Sequence, residues 1–250
     1  MQTYNAQQAL LSIDQHIGVI AIGLVIALGL TFVYFYEAIR LGIKHRTFSS
    51  PLGATLWFLP HDFSFLLYYD QWFNVYNHWW PKIWWMGLVS TVFIEMFLLY
   101  QVVRYGREEL MPKASQRTFA WSVVGMTLGC GVIWAVVKGS IDDELFFTSF
   151  LLTIAWPIPF TTMQILRRGS RKGVSVLQEA VIAPMFLGLW AALCFIDPFF
   201  RSLVFIALAV VSVVWALVNV VLVMRLPVYR AGDEAGDEAA RQTASRMVAA

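Results

Sequence analysis

His61 and Asp62 stand side by side in the most aromatic stretch of the chain. Thirteen of the twenty-nine residues from Trp57 to Trp85 are Phe, Trp or Tyr. Ten residues beyond that stretch, Glu95 is alone in an apolar run. Carboxylates in an oily setting are costly to keep, so they mark candidate functional positions. Out of water a carboxyl group favours its neutral form, and a second carboxyl nearby strengthens that preference in one of the pair. A neutral carboxylic acid at pH 7 is a Brønsted acid poised to give up its proton. Asp62, Glu95 and His61 are therefore the candidate catalytic residues, and proton transfer is the chemistry they suit.

Helical spacing places Thr55, Phe58, Phe65 and Tyr69 on one face with Asp62. A second face carries Trp57, His61, Ser64 and Tyr68. Thr91 lies one turn from Glu95. Trp57, Phe58, Phe65 and Tyr69 are the candidate substrate-binding residues, because aromatic faces stabilise cations. Filling of a helix bundle would account for the same rings. The outer part of the stretch, with Trp79, Trp80, Trp84 and Trp85, fits an interfacial belt. Glu37 and Glu179 fall near basic turns and are expected to snorkel or pair with them. Asp142, Asp143, Glu144 and Asp197 fall near the opposite surface and read as solvated. Asn219 is a single polar residue deep in the last apolar segment, placed either to fix a helix contact or to line a cavity, and it is counted with the candidate substrate-binding residues.

These residues sit in a chain of 250 residues that is 59% hydrophobic and 14% charged. Soluble domains carry about 25% charge. Seven apolar segments are long enough to span a bilayer: 17–38, 52–70, 81–103, 118–138, 145–166, 175–196 and 201–224. With these segments as spans, fifteen Lys and Arg residues fall on one side and three, Lys82, Lys138 and Arg201, on the other. The positive-inside rule then puts the N-terminus outside and the C-terminus in the cytoplasm. The expected fold is an all-α membrane protein with seven transmembrane helices over 1–226 and a mobile cytoplasmic tail over 227–250. At ~1.5 Å per residue, Asp62 lies roughly 16 Å and Glu95 roughly 14 Å from the inner face. Two carboxyls at similar depth on adjacent antiparallel helices can share a pocket.

Other chemistries lack their residues. The four His residues have no metal-ligand spacing, and no H-E-x-x-H occurs. No P-loop or G-x-G-x-x-G is present, and no Lys lies in the last span for a retinal Schiff base. A net charge of +2 does not suggest nucleic acid. Cys130 and Cys194 lie in apolar segments and read as packing residues. No metal and no cofactor is expected.

Two basic turns look alike: EAIRLGIKHRTFSS between spans one and two, and MQILRRGSRKGVSV between spans five and six. Pro60 and Pro184 follow at similar places. The layout suggests a 3+1+3 pseudo-repeat around a central cavity. The segment WPIPFTTMQILRRGSRKGVS resembles the PQ-loop pattern of SWEET-like transporters, where a Pro-kinked helix ends in Gln, a basic turn and Gly-X-Ser. That resemblance implies a small-solute transporter in which Asn219, Asn74 and Gln164 would matter most.

The span count, the acids within helices, the surrounding aromatics and the missing metal motifs together resemble the integral-membrane terpene cyclases of meroterpenoid pathways. This resemblance implies a metal-independent enzyme of the cytoplasmic membrane. Such an enzyme protonates the distal olefin or epoxide of a farnesyl-type chain and closes rings through carbocations. The implied partner is a prenylated small molecule reaching the site from membrane lipid. Asp62 stands where the family's second-helix acid is expected. The family also places an acid in its last helix; this chain has Asn219 there, and Glu95 takes that role in the mapping.

Overall fold

The computed structural model describes residues 4–230, and every element among them is helical. A short helix, α1 (Ala6–Gln15), precedes α2 (Ile17–His45). Then come α3 (Leu52–Leu66), a π-helical turn (Gln71–Val75), α4 (Trp79–Tyr105) and α5 (Arg107–Leu110). They are followed by α6 (Gln116–Ser140), α7 (Phe147–Ala155), α8 (Pro157–Arg168), α9 (Val176–Ala180) and α10 (Ile182–Ile196). A 3-10 turn (Pro198–Arg201) leads into α11 (Leu203–Arg225).

Six helical stretches among the described residues are long and apolar enough to cross a membrane: α2, α4, α6, α7 with α8, α9 with α10, and α11. Their outer faces expose large apolar side chains such as Val25, Val132 and Leu203. An apolar surface of this extent is stable against lipid, not water. The pattern is that of a multi-pass membrane protein.

The stretch expected as one span over 52–70 is shorter than that. α3 has 15 residues and stops at Leu66. Beyond it the chain turns and forms the π-helical segment. Trp72 Nε1 donates to the Glu144 carbonyl at 2.8 Å, and Tyr76 bonds the Glu144 carboxylate. These bonds tie the segment to the loop before α7, so the α3 helix does not continue.

Prolines set the other breaks. Pro157 and Pro159 lack the N–H groups that the Thr153 and Ala155 carbonyls would accept, and the helix breaks at Trp156 between α7 and α8. Pro184 does the same to the Ala180 carbonyl, at the α9–α10 break. Pro60 stays within α3.

α2 lies along α10, and α3 packs against α4, α6 and α8. α11 closes the bundle against α8, α9 and α10. α2 and α10 meet at two glycines, where a Cβ on Gly23 would sit 2.5 Å from the Gly188 carbonyl oxygen. At the basic end of the bundle α2 also meets α4, with Gln101 Nε2 donating to the Ile39 carbonyl at 3.2 Å.

The two similar turns pack on each other at that end. The Gly173 amide donates to His45 Nδ1 at 3.0 Å, and Arg168 Nη2 donates to the Phe48 carbonyl at 2.8 Å. Glu37 pairs with Arg40 at 2.7 Å and accepts from Ser175 Oγ at 2.9 Å, as a basic-turn partner should. The segment expected to be a mobile tail begins in contact with these turns. The Arg171 amide donates to the Pro227 carbonyl at 3.0 Å, and the Tyr229 ring lies 4.8 Å from that of His45. The rest of that expectation, over 231–250, lies outside the described residues.

The α1 end corrects another expectation. Asp143 is buried instead of solvated. It accepts from the Tyr4 hydroxyl at 2.7 Å and from the Thr148 and Ser149 amides at 3.1 and 2.7 Å, so it caps α7 and anchors the N-terminal segment. Burial, and then the Asp143 charge, push the Tyr4 hydroxyl well above its usual pKa.

Candidate active site

Asp62 is held on both oxygens. Its Oδ1 lies 2.8 Å from His61 Nδ1, and its Oδ2 lies 2.5 Å from Thr91 Oγ1 on α4. On the far side of the imidazole, His61 Nε2 lies 3.0 Å from Thr153 Oγ1. Thr153 Oγ1 also accepts from Trp57 Nε1 at 3.3 Å. An indole can only donate, so the Thr153 proton is free to go to His61 Nε2. With the imidazole neutral, its Nδ1–H then points at Asp62. The chain of bonds runs Trp57 to Thr153 to His61 to Asp62, crossing from α3 to α7 and back.

Thr91 Oγ1 has a second neighbour, the Leu88 carbonyl at 3.0 Å. A hydroxyl has one proton. It donates to Asp62 when that group is a carboxylate. It donates to Leu88 when Asp62 carries the proton and is itself the donor. The site therefore offers good hydrogen bonding to both protonation states.

Glu95 faces Asp62 from α4 and is 2% exposed. Its Oε2 has no hydrogen-bond partner. The two carboxyls lie together as the depth argument expects, but one is fully engaged and the other has a free oxygen.

Both carboxyls line a cavity of about 1010 Å³, its open mouth included. The wall is almost wholly apolar: Phe58 from α3, Phe35 from α2, Phe146 and Phe150 around α7, Ile182 and Met185 from α10. Two lining residues stand exposed, Phe32 on α2 at 44% and Ile83 on α4 at 55%. The cavity therefore opens between α2 and α4, away from the Gln101 contact that holds these helices together. Phe146, a non-glycine residue at φ 73°, sits where the wall turns into α7. Such a backbone costs about 1–2 kcal/mol, and the Asp143 cap over α7 holds it in place.

The structure separates the expected site residues into groups. Asp62, Glu95 and Phe58 line the cavity. His61 does not: it is fully buried behind Asp62, with its ring centroid 4.7 Å from those of Trp134 and Phe146. It meets the site through Asp62, Thr153 and Phe146 and does not reach the cavity itself, which makes it a positioning residue. Trp57 and Phe65 lie in the same layer behind the imidazole, at 6.4 and 5.6 Å, and do not line the cavity. Tyr69 lies past the end of α3, half exposed and stacked on Phe73 at 4.3 Å. The early end of α3 is what removes it from the site. Asn219 is also elsewhere: it donates to the Ile158 carbonyl at 3.0 Å and accepts from Thr162 at 2.6 Å, fixing α11 to α8.

Trp80 and Trp84 depart from the belt expectation, since both are buried and line the cavity. Trp79 does sit at the exposed edge, donating to Asp14 at 2.9 Å. Glu179 was expected to pair with a basic turn. It is instead 1% exposed, and its Oε2 has no partner. Thr153 has no sequence signal of its own. Its position before Pro157, where the helix breaks, is the one hint it leaves.

Among the described residues, no three His, Cys, Asp or Glu side chains come together as a metal-ligand group. Comparison of the chain with protein-family models, curated proteins and solved structures gives no match.

Proposed function

We propose that this chain is a membrane-embedded terpene cyclase that starts its reaction by protonation. One observation carries the reading: a pair of facing carboxyls at the inner end of an apolar, aromatic-walled cavity that opens sideways between two lipid-facing helices. A prenyl chain is the ligand such a wall suits, and membrane lipid is its route of access.

In this reading Glu95 is the acid and Asp62 its held partner. The Glu95 O–H bond breaks as its proton adds to the distal carbon–carbon double bond, or to the oxygen of a terminal epoxide. The π electrons, or the breaking C–O bond, leave a tertiary carbocation. Neighbouring double bonds attack it in turn, forming ring C–C bonds and moving the cation along the chain. Phe35, Phe58, Phe146 and Phe150 exclude water and meet the cation with ring faces, each worth up to about 2 kcal/mol when desolvated. Loss of a proton to a carboxylate of the pair ends the reaction and restores the starting proton count. The product is an isomer of the substrate, with no net oxidation.

The finer membrane arrangement belongs to the same proposal. α3 with its following turn serves as a seventh span, the basic end faces the cytoplasm, and the N-terminus lies outside the cytoplasmic membrane. The pairing of α2 with α10 and of α3 with α8 supports a 3+1+3 pseudo-repeat, because each pair joins the first helix of one half to the second of the other. A SWEET-like solute path draws less support. Asn219 and Gln164 are spent on helix and turn contacts, Asn74 bonds Asp70 at 2.6 Å, and none lines the cavity.

The test is incubation of the purified protein in nanodiscs with a farnesylated phenol and with its terminal epoxide. The expected result is a cyclic product of unchanged mass. Absence of cyclic product from both, with uptake of a polar solute by proteoliposomes, would overturn the reading.

A further inference from the structure

Nine buried side-chain polar atoms among the described residues have no hydrogen-bond partner. Five of them are oxygens near the two basic turns: Tyr34 Oη, Ser50 Oγ, Thr161 Oγ1, Gln164 Oε1 and Glu179 Oε2. None of these residues is more than 5% exposed. Buried polar atoms are paired as a rule, so unpaired ones gathered in one place point to a group that the fold encloses.

Ser49 is the hub that gathers them. Its hydroxyl donates to Gln178 Oε1 on α9 at 3.1 Å, and its carbonyl accepts from Gln164 Nε2 on α8 at 2.9 Å. The Ser175 hydroxyl accepts from the Gln178 amide at 3.1 Å and so caps α9, which sets Glu179 in the first turn. From α2, the Tyr34 side chain faces Ser50, Gln178 and Glu179 together. Unpaired oxygens from α2, from the loop before α3 and from α9 therefore meet around the Tyr34 hydroxyl. Gln164 spends its amide nitrogen on Ser49 and leaves its oxygen unpaired. Thr161 lies one turn earlier on the same face of α8.

Charge and ligand type narrow the occupant. Glu179 makes no ion pair among the described residues, and Glu37, three residues beyond Tyr34, is already paired with Arg40. A carboxylate buried without a counter-charge is strongly unfavourable. The unpaired atoms are all oxygens, the donors that hard cations take, with none of the nitrogen or sulfur that zinc prefers. One carboxylate balances one positive charge, whereas calcium sites draw on several. The five oxygens are also closed to solvent and to the cavity, so their partner is an enclosed ion and not a guest of the cavity.

We propose that Glu179, Tyr34 and Ser50 hold a sodium ion in an enclosed site between α2, α9 and the loop before α3. Glu179 supplies the charge, the two hydroxyl oxygens are neutral ligands, and Gln164 is a fourth candidate ligand. The ion joins the two similar turns. This proposal stands on the unpaired oxygens and does not depend on the cyclase reading.

Two measurements on the full chain in nanodiscs test it: binding of radioactive sodium, and thermal unfolding in sodium chloride against choline chloride at equal ionic strength. Sodium should raise the wild-type melting temperature by about 3–10 °C at saturation, because an ion that binds only the folded state stabilises it. Glu179→Gln keeps the shape and removes the charge. It should weaken sodium binding by about 100-fold or more and abolish the sodium effect on melting. Its melting temperature in choline chloride should be no lower than that of wild type, which checks that it is folded. Ser50→Ala should weaken sodium binding about 5–20-fold.

Equal wild-type melting in the two salts, with no sodium bound, would overturn the proposal and leave Glu179 as a neutral acid. Sodium binding that survives Glu179→Gln would place the ion elsewhere and overturn it too. Should Glu179→Gln not fold, an unchanged sodium affinity in Ser50→Ala would do the same. Neither assay involves a prenylated substrate, so failure of the sodium site and failure of the cyclase reading are separate results.

Discussion

Asp62 and Glu95 face each other across the α3–α4 contact, and Asp62 is the more firmly held of the two. Both of its oxygens have partners, His61 at 2.8 Å and Thr91 at 2.5 Å, while Glu95 Oε2 has none. Hydrogen bonds from donors favour a carboxylate. A carboxyl with a free oxygen at an apolar cavity can present its proton to a ligand. This asymmetry divides two like residues into an acceptor held on both oxygens and a facing carboxyl with one oxygen unpaired.

Thr91 carries a sharp consequence of that division. Thr91→Val keeps the shape and removes the hydroxyl that serves Asp62. Cyclisation rate under single-turnover conditions should fall about 10–100-fold, the effect of losing one hydrogen bond to a charged group. Thr91→Ser should recover most of the rate. A Val variant as fast as wild type would remove Thr91 from the account.

The α2 wall of the cavity depends on the crossing at Gly23 and Gly188. A methyl group at Gly23 would meet the Gly188 carbonyl at 2.5 Å and the Ala192 Cβ at 3.0 Å. Gly23→Ala should destabilise by about 1–3 kcal/mol, as overpacking does. Gly29→Ala on the same helix meets nothing within 4 Å and should be neutral or stabilising by about 0.5–1 kcal/mol. Thermal unfolding in detergent compares the two. Equal melting temperatures would mean that the helices can separate at the crossing without cost.

Tyr4 gives a pH signature at the α1 end. Its hydroxyl pKa is raised well above the usual tyrosine value, first by burial and then by the Asp143 charge. An acid with a raised folded-state pKa is favoured in its neutral form by folding. Its contribution is therefore complete below the unfolded value and is lost as pH rises through the folded one. Melting temperature measured from pH 8 to 11 should fall more steeply in wild type than in Tyr4→Phe. Parallel curves would show that Tyr4 ionisation is not linked to folding.

Much of this architecture was legible in the sequence. Apolar segment length gave the helical membrane class, and rise per residue placed Asp62 and Glu95 at one depth. Periodicity alone could not say which aromatic rings meet a ligand. Trp57 and Phe65 share helix faces with the acid site but pack behind His61, because α6 and α7 cover that side of α3. Tyr69 was lost from the site when α3 ended at Leu66, under contacts to Glu144 that lie more than sixty residues away. Trp80 and Trp84 look like belt residues in sequence, and their burial at the cavity wall depends on helices packed against α4 from elsewhere in the chain. Thr153 and the Asp143 cap depend on long-range hydrogen bonds, which leave no local pattern.

The central claim is that Glu95 supplies the proton while Asp62 is held to receive and return it. Its most direct measurement is the cyclisation rate of a farnesylated phenol, or its epoxide, by Glu95→Gln at saturating substrate, alongside binding of the same ligand. Loss of a general acid typically costs 10²–10⁴-fold, so the rate should fall by at least about 100-fold while affinity stays within a few-fold of wild type. A Glu95→Gln protein that cyclises at the wild-type rate would contradict the account.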